Sequence, residues 1–228
     1  MIKKAFRTAF PITLPVLMGY LFLGIAFGVL LSSKGFHAGW AVLMSVAIYA
    51  GSMQFVAIEL LTIPFHFLNV LFITLTVNIR HLFYGLSMLD KFKDSGKLKP
   101  YMIFSLTDET YSILCSASAP EGVSSKWYFF FIAFLNHCYW IAGSVIGCTA
   151  GNLIPFNSEG IDFAMTALFI VIFVEQWEKA SSHLPAILGL AVTAVCRLIF
   201  GTDWFILISM LCLLLSLFLL NNRRKETS

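Results

Sequence analysis

The chain has 228 residues, 59% of them hydrophobic and only 12% charged, with a mean hydropathy of +0.86, whereas an ordinary soluble domain is about 25% charged. That composition excludes a soluble globular domain and fits one all-α polytopic membrane domain over residues 1–228. The formal charge of +3 arises from basic residues beside apolar runs, which is an orientation signal for membrane segments and not a nucleic-acid signal.

Eight apolar segments are expected, at about 12–31, 39–61, 67–89, 101–118, 127–150, 161–175, 184–200 and 204–220. The first follows Lys3, Lys4 and Arg7 and is longer than a signal-peptide core, so it is expected to be a retained span. Its Gly24 and Gly28 form a small-residue packing face. The second is interrupted by Ala50-Gly51-Ser52-Met53-Gln54. Membranes tolerate such a break only where protein or a water-filled cavity satisfies the backbone. Gly51, Ser52 and Gln54 would supply it with small residues and an amide, and free helix-end N–H groups bind anions. Close packing is the plainer alternative.

The third segment carries Asn78-Ile79-Arg80-His81-Leu82-Phe83-Tyr84. Ionisable groups at such depth usually face a bundle interior or a pathway. Asn78, His81 and Gly85 share one helix face, and Arg80 and Tyr84 share a neighbouring one. Arg80 is expected to hold a substrate carboxylate or a structural acid, because a guanidinium offers a fixed two-pronged fork. Snorkelling explains Arg80 alone but not Asn78, Arg80 and His81 together.

In the fourth segment Asp108 and Glu109 point about 100° apart on a helix and cannot share a face. Whichever faces a cavity would be desolvated beside a second acid, as a proton carrier requires. Solvation near Lys99 is the alternative, and pairing with Arg80 would weaken the proton role of the acid concerned. Farther on, Gly143, Gly147 and Gly151 read as a packing face, His137 beside Asn136 as a satisfied histidine, and Glu175 with Lys179 as a surface pair. Five cysteines (Cys115, Cys138, Cys148, Cys196 and Cys212) are scattered without a Cys-x-x-Cys pair. Small buried hydrophobes are expected there, with no metal site or cofactor. P-loop and dinucleotide fingerprints are absent from the sequence, which argues against ATP-driven transport by this chain alone.

Basic clusters at Lys3–Arg7, at Lys91, Lys93, Lys97 and Lys99, and at Arg223–Lys225 place both termini and the 90–100 connector in the cytoplasm. Three segments separate the first two clusters and five the last two, although both counts should be even. About six full spans plus two re-entrant or broken segments, 39–61 and 161–175, repair the parity. Gly24 and Gly28 are spaced like Gly143 and Gly147, and Arg80 like Arg197, so a possible inverted repeat is expected with a site at its interface.

Ala50-Gly51-Ser52-Met53-Gln54-Phe55, Asn78-Ile79-Arg80-His81, Thr107-Asp108-Glu109 and Ile161-Asp162-Phe163-Ala164, in that order after Pro11-Ile12, resemble the AzlC family of branched-chain amino acid permeases, the LIV-E exporters. The resemblance implies export of hydrophobic amino acids across a bacterial cytoplasmic membrane with a small AzlD-like membrane subunit. The residues are consistent with a proton-coupled secondary transporter and not an enzyme. Gly51, Ser52, Gln54, Asn78, Arg80 and His81 are the candidate substrate-binding residues, and Asp108 and Glu109 the candidate proton-coupling pair. A channel and an intramembrane enzyme using Asp108 with Asp162 or Asp203 are the rival classes.

Overall fold

The computed structural model describes residues 2–153, 170, 173, 174, 177, 178, 180 and 182–226. These are helix or connector, with no strand among the described residues. Four of the described helical stretches are long and apolar enough to cross a membrane: Ile2–Ser33, Phe67–Ser87, Ser125–Leu153 and Leu184–Gly201. The chain divides into two compact units, Met1–Ala164 and Met165–Ser228.

The first unit is built on α1 (Ile2–Ser33) and α7 (Ser125–Leu153). Their glycines meet as the spacing predicts. A Cβ on Gly24 would come within 3.0 Å of Ser144 N, and one on Gly143 within 2.9 Å of the Tyr20 carbonyl. Gly28 and Gly147 approach the opposite backbone more closely still, and Gly151 lies against Ser32. Phe6 packs edge-on to Phe131 at one end, and Cys148 Sγ donates to the Phe36 carbonyl at the other. Residue numbers rise together along both helices, so α1 and α7 run parallel. An inverted repeat requires them antiparallel, and this part of the expectation is corrected.

The segment 39–61 is broken, but at 48–50, just ahead of the expected Ala50–Gln54, whose last four residues form the first turn of the next helix. Helix α2 (Ala38–Ala47), capped by His37 Nδ1 accepting from Gly39 N, gives way at Ile48–Ala50 to α3 (Gly51–Thr62). Tyr49 at the break has φ +43°, a left-handed conformation that non-glycine residues seldom adopt, and its ring stacks on His137 at 4.0 Å. A continuous helix would carry Glu59 about 30 Å from the start of α2. Instead, Lys34 just after α1 pairs with Glu59 at 3.7 Å, so α3 ends beside the end of α1.

Helix α4 (Phe67–Ser87) runs to the connector holding a 3-10 turn at Lys93–Leu98. The segment 101–118, expected as one element, is also broken. Helix α5 (Lys99–Phe104) stops at Ser105, and α6 (Asp108–Ser116) starts afresh behind Thr107. Thr107 has extended backbone, and its hydroxyl accepts from Thr110 N at 3.3 Å as an N-cap does. At the far end of α6, the Lys91 ammonium donates to the Leu114 carbonyl and, at 2.7 Å, to that of Ala117. The Lys4 ammonium lies near Gly122 and that of Lys126 near Gly96. The N-terminus and the connectors before α5 and after α6 therefore lie at one end of this unit.

The second unit contains α8 (Leu184–Glu226), kinked at Gly201, where φ is +70°. His183 just before it stacks on Trp177 at 4.1 Å. Asp162, Glu175, Lys179 and most of the expected broken segment 161–175 lie outside the described residues, as does the side chain of Asp203.

Candidate functional site

The two helix breaks of the first unit meet at α4. Arg80 donates from Nη1 to Asp108 Oδ2 at 2.6 Å and from Nη2 to Ser52 Oγ. Ser52 lies in the first turn of α3 and Asp108 in the first turn of α6, so one guanidinium ties both broken segments together. Tyr84, one helical turn beyond Arg80, donates to the other Asp108 oxygen at 2.6 Å. The shared face of Arg80 and Tyr84 thus converges on a single carboxylate. Both members of the ion pair are about one-third exposed, 30% for Arg80 and 31% for Asp108. Arg80 Nε has no hydrogen-bond partner among the described residues.

Helix α3 begins without a side-chain cap: its N-cap is Ala50. The N–H groups of Gly51, Ser52 and Met53 precede the first intrahelical bond, which Gln54 N makes to the Ala50 carbonyl at 2.8 Å. A helix start with free donors next to a guanidinium favours an anionic group. Gly51 is needed for space, since a Cβ there would come within 3.1 Å of the Trp140 ring.

Glu109 diverges from Asp108 as the helical angle requires. Its Oε2 accepts from Tyr20 OH at 2.7 Å, and the same phenol contacts Thr107 Oγ1. Thr107 Oγ1 is 3.0 Å from Thr110 Oγ1, which in turn accepts from Asn136 Nδ2 at 3.0 Å. Tyr20, Thr107, Thr110 and Asn136 are all buried.

The other expected residues are placed differently. Gln54 is buried, bonded through Oε1 to Trp140 Nε1 at 2.8 Å and through Nε2 to Ser45 Oγ at 3.3 Å, which fastens α3 to α7 and α2. His81 donates through Nδ1 to the Asn78 carbonyl of its own helix and lies edge-on to Tyr84, outside the Arg80 cluster. Asn78 is half-buried, and its Oδ1 has no partner among the described residues. His137 is satisfied on both nitrogens, by the Ser45 carbonyl and by Tyr101 OH, each at 3.0 Å. Sequence reasoning missed Tyr20, Tyr49, Asn136 and Trp140 as members of the site. Only Asn136 beside His137 carried any local signal.

These features define a multi-pass membrane protein that gathers charged and hydroxyl side chains around two interrupted helices. Residues 15–154 match the AzlC protein family. The chain is 50% identical to the Bacillus subtilis branched-chain amino acid transport protein AzlC, over 93% of this chain and 84% of that one. It is 45% identical to an uncharacterized membrane protein of Helicobacter pylori over 95% of each chain. To the inner membrane protein YgaZ of Escherichia coli it is 26% identical, over 75% of this chain and 72% of that one. No solved structure matches. The chain belongs to the AzlC family.

Proposed function

We propose that this chain is a secondary transporter, not an enzyme, that exports branched-chain or similar hydrophobic amino acids across a bacterial cytoplasmic membrane. It works with a small AzlD-like membrane subunit and couples export to proton movement. Its 50% identity to a branched-chain amino acid transport protein supports the substrate class. The observation that carries the mechanism is Arg80 held between Ser52 at one break and Asp108 at the other.

An amino acid zwitterion needs donors for its carboxylate, acceptors for its ammonium and an apolar pocket for its side chain. In this reading the carboxylate binds at the uncapped start of α3, on the Gly51, Ser52 and Met53 N–H groups, with Arg80 turning toward it from Asp108. Asp108, released from Arg80, accepts the ammonium. Gln54 and Trp140 hold the break in place, and Asn78 and His81 line the approach on α4. Asp108 is already engaged by Arg80 and Tyr84, so the proton falls to Glu109, whose partner is a neutral phenol.

The same reading puts the N-terminus and the connectors around α5–α6 in the cytoplasm. The pairs α2–α3 and α5–α6 become re-entrant hairpins from opposite faces, with tips at 48–50 and 105–107. Segment 101–118 then joins 39–61 as a re-entrant segment in this reading.

Efflux of preloaded labelled leucine tests the function, in cells with and without this chain and the small subunit. Faster efflux with both proteins present is expected. Equal efflux with and without them, at verified membrane levels, overturns the assignment.

A further inference from the structure

Helix α6 lies alongside the C-terminal part of α4 and the connector that follows it, and contacts between them rise together in residue number. Arg80 and Tyr84 meet Asp108, Tyr84 and Ser87 meet Tyr111, and Lys91 meets the carbonyls of Leu114 and Ala117. Tyr111 stands in the middle of this splint. Its ring stacks on that of Tyr84, with centroids 4.4 Å apart and planes 14° from parallel, and its hydroxyl is 3.1 Å from Ser87 Oγ. Asp108 and Tyr111 are three residues apart on α6 and share one face, as Tyr84 and Ser87 do on α4.

From this arrangement we infer that Tyr84 and Tyr111 are positioning residues, which keep the Asp108 carboxylate aimed at the substrate's ammonium once Arg80 has left it. The inference rests on the transport reading above, in which Arg80 turns to the substrate carboxylate and Asp108 receives the ammonium. It adds the residues that make the amine a requirement for good binding.

Two side chains fix the carboxylate, Arg80 on Oδ2 and Tyr84 on Oδ1, each at 2.6 Å. When Arg80 swings away, Oδ2 is freed for the ammonium and Tyr84 is left to orient the group. A hydrogen bond orients its acceptor only as firmly as the donor is itself held. Tyr84 is half-buried, and a phenol on an exposed helix face moves readily between staggered rotamers. Here its ring is confined from two sides. His81 of its own helix lies edge-on to it, with centroids 5.8 Å apart, and Tyr111 of α6 covers one face. Tyr111 belongs to the same short helix as Asp108, so the acid and the clamp on its partner travel together. Lys91 secures the far end of that helix.

The test uses the full-length protein, reconstituted in proteoliposomes with its small subunit. Exchange of labelled leucine is inhibited by unlabelled leucine and by isocaproate, which is leucine without its amine. The readout is the ratio of the two half-inhibiting concentrations. A substitution that merely damages folding lowers the amount of active carrier and leaves this ratio unchanged. The wild type is expected to prefer leucine, and Tyr84→Phe and Tyr111→Leu each to narrow the preference roughly tenfold, the weight of one hydrogen bond to a charged group. Tyr111→Phe, which keeps the stacked ring, is expected to retain it; a loss equal to that of Tyr111→Leu overturns the stack as the positioning contact. In the Tyr84→Phe background, Tyr111→Leu is expected to add nothing, because it acts through Tyr84. Independent, multiplying losses overturn that route. A wild-type preference in both single variants overturns the positioning role and leaves the transport reading standing. Absence of saturable leucine exchange in the wild type, or equal inhibition by the two compounds there, overturns the underlying reading and the inference with it. Should Tyr111→Leu fail to reach the membrane, Tyr84→Phe, which removes a single oxygen, decides alone.

Discussion

Replacing Arg80 by Lys separates charge from geometry. The guanidinium bonds two acceptors at once, Asp108 Oδ2 at 2.6 Å and Ser52 Oγ, on two different broken helices. An ammonium on a lysine stem keeps the charge but not the planar fork. At best it retains the ion pair and loses the link to Ser52. One hydrogen bond to a charged group contributes about 1.5–3 kcal/mol. The pair here is about one-third exposed, which pulls the figure toward the lower end. At about 1.4 kcal/mol per decade, the loss corresponds to a roughly 10-fold reduction in flux, rising toward 100-fold if the interaction is made only in the rate-limiting state. Arg80→Ala removes both links, leaves Asp108 with Tyr84 alone, and is expected to abolish export. The assay is efflux of labelled leucine normalised to membrane-inserted protein. Wild-type flux in Arg80→Lys would show that only charge matters. Wild-type flux in Arg80→Ala would show that the residue is dispensable.

Three further outcomes are expected. A single cysteine at the exposed Asp94, in a Cys-less background, should resist an impermeant reagent in intact cells and react after permeabilisation; labelling from outside would reverse the topology (the neighbouring Ser95 is buried and unsuitable). Gly28→Ala or Gly147→Ala should lower the unfolding temperature in detergent, by overpacking worth about 1–3 kcal/mol, whereas Gly19→Ala, with nothing within 4 Å, should not; equal effects at the three sites would disprove the seam. Asp108→Asn should depress exchange and gradient-driven flux alike by weakening the Arg80 clasp, and unchanged gradient-driven flux in Asp108→Asn, Glu109→Gln and the double variant would remove both acids from the mechanism.

Much of this arrangement was legible in the sequence because it depends on local spacing. Glycines four apart mark a face, so the Gly24–Gly28 and Gly143–Gly147 seams could be expected, and Ala50-Gly51-Ser52 announced a break. The second break was harder to see. Thr107 followed by Asp108 and Glu109 has the form of a helix start, with a hydroxyl cap and acids in the first turn. Inside an apolar run it reads equally well as polar residues on a continuous helix. That one difference also reversed the direction of α7 relative to the expectation, because a segment that turns back delivers the chain to the end it left. Partners such as Tyr20 with Glu109, or Trp140 with Gln54, are 89 and 86 residues apart and follow no periodicity, so only the folded chain reveals them.

The contact between α1 and α7 also bears on which parts of the molecule can move. Where two helices touch through side chains, they can slide as rotamers readjust. Where they touch backbone to backbone, as at Gly28 and Gly147, a shift along the axis drives a neighbouring Cβ into a main-chain atom that has nowhere to go. The two long helices therefore act as a single stiff beam. Strain applied to this unit is shed to its weakest joints, the non-helical linkers at 48–50 and 105–107, each only three residues long. On the transporter reading proposed above, a substitution that stiffens either linker is expected to slow efflux while leaving the substrate's contacts unchanged.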